Sequence, residues 1–467
     1  MVLARVVVPN TPGDARQAVA PWARRRLALA GSLVAAFAAC AAPPPSHGPT
    51  PPLVAPVTLE IGRAGAVLSG VAGDVAAGFA ALTSTVGGSP PTAITTIEAI
   101  SRRERRADPP AWRTELDGRG GPLVVSAGRV IAALGGTGGV AGLALRGEPG
   151  AVMVALDAAT GAAAWKLAVD ATQWSVIASI AAAPDGVVVG GSFAGTLRIG
   201  NAVVSSAGKA DGFVARIAST GSVTWLIRLG GPGIDAVQGV AASADRIAIA
   251  GTFTAGADLL GQALDAIDER SPAADGFVAE LDLAGARQWA QSFGGKAEDS
   301  VAGVAIDASG RVAIAASMRD SIHVSGADLV ANGAADGLVA WWSSTGAAGG
   351  AVRLGGADFD GLRAIAATGD RVVVAGFYSG SVVLGDRRLT ATGGDDAFVA
   401  ALDATGRVTE AWPISGEGRE EITALTAIRG GFMAGITHTA AATVGADTLP
   451  APSDPMSGSA IVVRPVR

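Results

Sequence analysis

Apolar positions along this chain fall into short runs separated by Gly, Asp and Ser, and the runs lack a clean polar face. Arg246-Ile247-Ala248-Ile249-Ala250-Gly251 and Val372-Val373-Val374-Ala375-Gly376 are apolar on both sides. Runs this short, bounded by turn residues, predict strands. Strands apolar on both sides predict sheets with both faces covered. The clearest unit runs from about Val237 to Gly295. It holds a strand over 237–242, a turn at Ser243-Ala244-Asp245, and a second strand over 246–253. A longer connection containing Leu259-Leu260-Gly261 leads to a third strand over 277–282. A fourth passes Gln288-Trp289 and ends at Phe293-Gly294-Gly295. Four short strands divided by turns make one antiparallel meander.

The unit repeats. Asp211-Gly212-Phe213-Val214-Ala215 returns at 275–279, as Asp336-Gly337-Leu338-Val339-Ala340, and as Asp396-Ala397-Phe398-Val399-Ala400, with starts 64, 61 and 60 residues apart. A period that long carries several strands per copy and implies a repeat array. Stacking four-stranded sheets around an axis covers both faces of each, so the expected fold is an all-β propeller. First-and-second-strand pairs fall near 176–193, 237–253, 301–316, 362–378 and 422–436, with weaker pairs near 122–134 and 67–79. That count gives seven blades; six or eight are the alternatives. The last copy ends after a third strand at Ser459-Ala460-Ile461-Val462-Val463, while Val57-Thr58-Leu59-Glu60-Ile61 reads as an orphan fourth strand. Joining the two would close the ring and remove two exposed sheet edges. Large residues recur after the second strand (Phe193, Phe253, Met318, Tyr378), and Trp112, Trp165, Trp225, Trp289 and Trp412 recur in the fourth.

Composition agrees with thin, crowded sheets: 66 glycines in 467 residues, with only 4% aromatic residues. The net charge of −6 offers no basic face for nucleic acid. The single cysteine, Cys40, excludes an intrachain disulfide, and its position carries more than its number. Arg24-Arg25-Arg26 precedes an apolar run over 27–39. A basic stretch, a short apolar run and small residues at its end read as a secretory signal, too short to span a membrane comfortably. Phe37-Ala38-Ala39-Cys40 resembles a bacterial lipobox, which implies a lipidated Cys40; Phe stands where such signals usually have Leu. The alternative is ordinary cleavage beside an unrelated cysteine. Prolines 43–45, 49, 51 and 52 then predict an extended spacer. The expected organisation is a signal peptide over 1–39, a lipidated cysteine and linker over 40–56, and a propeller over 57–467. No Asp follows Cys40, so the inner-membrane retention signal of some bacterial lipoproteins is missing and the outer membrane is the expected destination.

The run Phe193-Ala194-Gly195-Thr196-Leu197-Arg198-Ile199-Gly200, continuing to 211–215, Trp225 and Leu229-Gly230-Gly231, is similar to the SBBP-type β-propeller repeat of bacterial surface and secreted proteins. The resemblance covers roughly residues 150–440. Ala155-Leu156-Asp157-Ala158-Ala159-Thr160-Gly161 with Trp165 resembles, in a single copy, a PQQ-like propeller repeat. Neither resemblance implies a characterised activity.

Candidate chemistry is sparse. Asp235, Asp299 and Asp360 each stand four residues after a Gly-Gly pair, and Glu420 fits a looser last copy. Placed at the entry to an inner strand, these carboxylates could line one mouth of a central channel and bind Ca²⁺. The competing and favoured role is to accept backbone N–H bonds within each repeat. The Asp of each Asp-Gly-Phe-Val-Ala copy reads as turn chemistry. His47, His323 and His438 lie far apart with no Cys partner, which argues against zinc. No Ser stands in a nucleophile elbow. Ser101-Arg102-Arg103-Glu104-Arg105-Arg106 reads as a solvated hairpin tip. Trp341-Trp342 is the one tryptophan pair and the best local break in the repeat: one ring is expected between blades, the other against a glycan or peptide.

These features together predict a non-enzymatic, lipid-anchored propeller without a cofactor, binding a protein, peptide or glycan partner at the cell envelope. The rivals are a periplasmic scaffold similar to the propeller lipoprotein of outer-membrane protein assembly, and a quinone-dependent or carbohydrate-active enzyme.

Overall fold

The protein is described from a computed structural model covering residues 57–60, 66–73, 78–86, 92–100, 111–136, 150–254, 256–264, 274–452 and 458–466. The expected signal peptide, Cys40, the proline-rich linker and the arginine-rich tip at 101–106 lie outside them. The described residues are all-β and form a seven-bladed propeller of antiparallel four-stranded sheets, each ordered from an inner to an outer strand. Blade 1 comprises Ala66–Gly73, Gly78–Val86, Thr92–Ile100 and Arg113–Asp117. Blade 2 comprises Arg119–Ser126, Arg129–Gly136, Gly150–Asp157 and Ala163–Ala171, and blade 3 Trp174–Ala183, Gly186–Ala194, Asp211–Ala218 and Val223–Leu229. Blade 4 follows with Ala236–Ala242, Arg246–Phe253, Asp275–Asp282 and Arg287–Gly295, and blade 5 with Ser300–Ile306, Val312–Met318, Asp336–Trp342 and Ala348–Gly356. Asp360–Thr368, Arg371–Tyr378, Asp396–Leu402 and Val408–Gly416 make blade 6.

Blade 7 combines both ends of the ring, as the sequence predicts. Glu420–Ile428, Gly431–His438 and Gly458–Pro465 supply three strands, and Val57–Glu60 the outermost. Val57 pairs with Val463 and Glu60 with Ala460 in one antiparallel ladder.

Both faces of every blade are covered by its neighbours, and one apolar cluster fills each seam. Between blades 3 and 4, for example, Val188, Val214 and Leu229 meet Val237, Ile247, Ile249 and Phe277. Second and third strands are buried almost throughout, which explains why no polar face is legible in them.

The inner strands share one irregularity. A register shift interrupts each of them at the same level: between Leu68 and Gly70, Gly120 and Leu123, Ile177 and Ser179, Val237 and Gly239, Val301 and Gly303, Leu362 and Ala364, and Ile422 and Ala424. A bulge adds a residue and bends the strand. The skipped residues, among them Ser69, Gln238, Ala302 and Thr423, line a central channel of about 360 Å³ walled by all seven inner strands.

The longer connection after each second strand is not a plain loop. In blade 3 it forms a hairpin, Thr196–Ile199 with Ala202–Ser205, that adds to the outer strand of blade 2, pairing Leu197 with Ala171 and Ile199 with Val169. Hairpins of blades 5, 6 and 7 extend blades 4, 5 and 6 in the same way. In blade 4 the hairpin Ala257–Asp258 and Ala263–Leu264 reaches blade 3 through a bridge between Gly230 and Asp258. Each of these connections therefore latches a blade to its predecessor by backbone pairing.

Removing residues 57–60 leaves blade 7 three-stranded and Gly458–Pro465 as an open edge. The expected result is a thermal midpoint lower by at least several degrees, with early proteolysis after residue 458. Differential scanning calorimetry with limited thermolysin digestion checks both.

Candidate functional site

The two recurring acidic positions meet in the seams between blades. The Asp that opens a third strand faces the carboxylate that opens the next blade: Asp211 with Asp235, Asp275 with Asp299, Asp336 with Asp360, and Asp396 with Glu420. All eight are buried, none more than 3% exposed. Backbone must come very close to hold them there. A Cβ on Gly230, at φ 138°, would lie 2.6 Å from Asp235 Oδ2 and 3.0 Å from Asp211 Oδ1.

Much of their hydrogen bonding is to turns. Asp235 accepts the Gly231 amide at 2.8 Å and the Thr254 amide at 2.9 Å. Asp360 accepts the Gly356 amide at 2.6 Å. Asp211 and Asp336 accept the amides of Ala207 and Asn332, each at 2.7 Å. They also hold arginines, Arg228 at 2.8 Å and Arg353 at 2.7 Å. Both arginines stand 17 residues after their aspartate; the same spacing from Asp275 and Asp396 reaches Ser292 and Pro413. Two of these seams therefore carry an arginine at this spacing and two carry Ser292 or Pro413 there.

The carboxyl groups respond accordingly. Burial, reinforced by the facing carboxylate, raises all four members on the inner-strand side. Asp360, in a seam with an arginine, is pushed to about 6, and Asp235, with Arg228 opposing the shift, is also raised. Where the arginine is missing, Asp299 reaches about 7 and Glu420 about 8. The amides of Gly295 and Gly416, in the corresponding turns, oppose the shift only in part. A raised carboxyl beside a second buried carboxyl is the usual response of two such groups at one site.

None of the four carboxylates lines the channel. The expected mouth placement is corrected: each sits in its own seam, two carboxyls to a seam, against the six to eight oxygens that calcium takes. Among the described residues no group of three or more His, Cys, Asp or Glu is placed to share a metal. His438 lies opposite Glu420 in the ladder, fully buried, with Nδ1 2.8 Å from the Ala440 carbonyl. His323 is exposed beside Asp328.

The recurrent tryptophans work at the opposite end of the seams. Trp112, Trp165 and Trp225 donate their indole N–H to Ala158, Ser219 and Leu283, in the turn between third and fourth strands of the next blade. Trp289 packs on the corresponding turn at Gly346. Gly161, Gly221, Gly285, Gly346 and Gly406 hold φ between 73° and 88° in these turns, and a Cβ on the first four would press on the ring. Blade 5 has Gly349-Gly350 near the tryptophan position. Trp341, from the third strand, reaches across this gap to the turn at Gly406. Trp342 packs on Phe293 at 6.1 Å. At 4% and 2% exposure, both rings serve seams, and neither presents a face to solvent for a glycan or peptide. Trp412 stands two positions off the clamp register and packs edge-on against Phe432 at 5.0 Å.

One exposed feature is the channel mouth at the end where inner strands begin; a cavity of about 680 Å³ lies at the other end, beside Arg371 and Arg429. A cavity of about 830 Å³ opens at the mouth, walled by Val67, Ser69, Thr83, Arg119, Arg363, Glu421, Thr423 and Thr437. An apolar groove of about 550 Å³ lies beside it, between blades 2 and 3, with Trp174, Val176, Leu134 and Ala151 in its wall. Arg119 and Gly120 border both.

No protein-family model matches this chain, and no curated protein matches it. Similar folds occur among solved structures. The β-propeller domain of the Trilobed protease from Pyrococcus furiosus is 10% identical, with 85% of this chain and 99% of that one covered, at a TM-score of 0.45. A quinohemoprotein alcohol dehydrogenase from Pseudomonas putida HK5 is 13% identical, with 88% and 75% covered, at 0.40. A europium-containing methanol dehydrogenase is 12% identical, with 89% and 93% covered, at 0.38. At such identity none of their activities transfers to this chain.

Two predictions follow from the seams. Carboxyls whose folded pKa is raised stabilise the ring fully below their unfolded values, and that contribution is lost as pH rises through about 6 to 8. The thermal midpoint should therefore fall between about pH 5 and about pH 9, and Asp299→Asn with Glu420→Gln should flatten the slope. Ser292→Arg should flatten it in part, by placing there the arginine that Arg228 and Arg353 supply in two other seams. A steeper fall in the double variant would refute the assignment. Separately, Trp341→Ala should cost about 3–5 kcal/mol in urea unfolding, whereas exposed Trp174→Ala should change stability by less than about 0.5 kcal/mol.

Proposed function

We propose that the protein is a non-enzymatic, lipid-anchored binding scaffold of the bacterial cell envelope, engaging a macromolecular partner through the channel mouth. The observation that carries this reading is the contrast between seams and mouth. The recurring carboxylates are sealed between blades and committed to turns and to one another. The mouth instead gathers exposed groups: Val67 in the cavity and Trp174 and Val176 in the groove beside it are 37–51% exposed. Exposed apolar side chains rimmed by polar ones are the usual mark of an interaction site. The signal-like segment ending at Cys40 and the proline spacer support an anchored ring held off the membrane, on the outer membrane in the absence of a retention signal. The unit of about sixty residues supports membership of the SBBP-type repeats.

Site-specific photocrosslinking in intact cells tests the reading. A photoreactive residue at position 67 or 174 should yield a discrete adduct, and one at Arg429, at the opposite end of the ring, should not. No adduct from the mouth, or equal adducts from both ends, would count against a mouth-bound partner. In the same cells Cys40→Ala should move the protein out of the membrane fraction, and protease shaving reports which membrane face it occupies.

A further inference from the structure

We infer that the mouth recognises an extended acidic peptide segment, its carboxylates held by Arg119 and Arg363 and a neighbouring apolar side chain seated in the groove at Trp174. This inference rests on the reading of the mouth as the binding face and adds the chemistry of the ligand.

The argument starts from the two guanidiniums. Arg119 opens the inner strand of blade 2, and Arg363 is the residue skipped by the bulge in blade 6, so both belong to the cavity wall. Among the described residues neither side chain has an ion pair or hydrogen bond, although Arg113, Arg228, Arg246, Arg311 and Arg353 are all paired with carboxylates. Arg363 is instead positioned by an aromatic face. Its guanidinium carbon lies 4.7 Å from the centroid of Phe377, whose ring contacts Phe359 at 5.3 Å. Stacking of this kind orients the guanidinium while leaving its N–H edge open for an acceptor.

Charge then selects the ligand. The cavity holds two arginines against one carboxylate, Glu421, on a chain whose net charge is −6. An unpaired arginine fork matches a carboxylate in bidentate geometry. The apolar groove decides between peptide and acidic glycan. It shares Arg119 with the cavity, and Trp174 and Val176 in its wall are 37% and 51% exposed. A segment placing a carboxylate on Arg119 sets its neighbouring side chain over that groove, and an apolar residue gains by burial there. A sugar acid has no such side chain to place.

Fluorescence anisotropy on the full-length protein in detergent, with a labelled peptide of alternating Glu and Leu, tests this. Binding is expected, at least tenfold weaker for the Gln-for-Glu peptide and for Arg119→Glu with Arg363→Glu, and weaker as salt rises from about 50 to about 500 mM. Trp174→Ala should weaken the peptide but not its charge dependence. Arg429→Glu, at the other end, should change nothing, and an unchanged thermal midpoint shows that the double variant is folded. Equal binding of the Gln peptide, or indifference to both reversals, overturns the inference; tighter binding of oligogalacturonate overturns it in favour of an acidic glycan. No binding of either probe overturns it as well. If cellular crosslinks from position 67 persist in the double reversal, the acidic ligand fails while the mouth stands as the binding face. Their absence from the unaltered mouth removes that face altogether.

Discussion

Every sheet in this ring is covered on both faces by other sheets, and the rest of the structure answers to that constraint. A covered face tolerates neither a polar row nor bulky side chains at each position, so the second and third strands are built from Val, Ile, Ala and Gly. Such small side chains pack closely but interlock weakly, and the larger residues supply what they lack. The seams are consequently fastened at both ends by different means. At the turn end a tryptophan of one blade sits on a left-handed glycine of the next. At the mouth end four of the seams hold a carboxyl pair that gathers turn amides, and in blades 3 to 7 the hairpin after the second strand adds itself to the blade before.

The topology also explains where the fastening changes. Blade 7 receives its outer strand from the N-terminal side of the ring, so no turn joins its third and fourth strands. A clamp from blade 6 would have nothing to hold, and the clamp position there is Glu410, paired with Arg371. In blade 5 the outer strand has glycines near that position, and Trp341 restores the contact from the neighbouring strand. Breaks in the repeat at 341–342 and 412 are thus consequences of ring geometry.

Much of this was legible because propeller strands carry their fold in local pattern. Strand order within a blade, the count of seven and the strand shared by both ends all follow from runs and turns, and the structure agrees. Lateral relations were harder. The hairpins read only as long connections, because pairing to a preceding blade leaves no local mark beyond turns such as Gly200-Asn201 and Gly385-Asp386. The carboxylates were found as repeated positions, but their pairing depends on which strands face across a seam. One signal was available: the arginine 17 residues after Asp211 and Asp336, absent after Asp275 and Asp396. Arg119 and Arg363 carried no pattern at all, since each occurs once and a bulge aims the second.

The uneven use of that arginine gives the ring a gradient of strength. A buried carboxyl pair without that arginine loses one source of relief from repulsion in a poorly solvated seam. The seams between blades 4 and 5 and between blades 6 and 7 bear this cost, while those between 3 and 4 and between 5 and 6 offset it through Arg228 and Arg353. One of the weaker seams borders the closing blade, itself held by a ladder of only four residues on its outer side. Alkaline conditions therefore load the seam beside the ring's own point of closure, and local opening should begin there, ahead of the arginine-bearing seams.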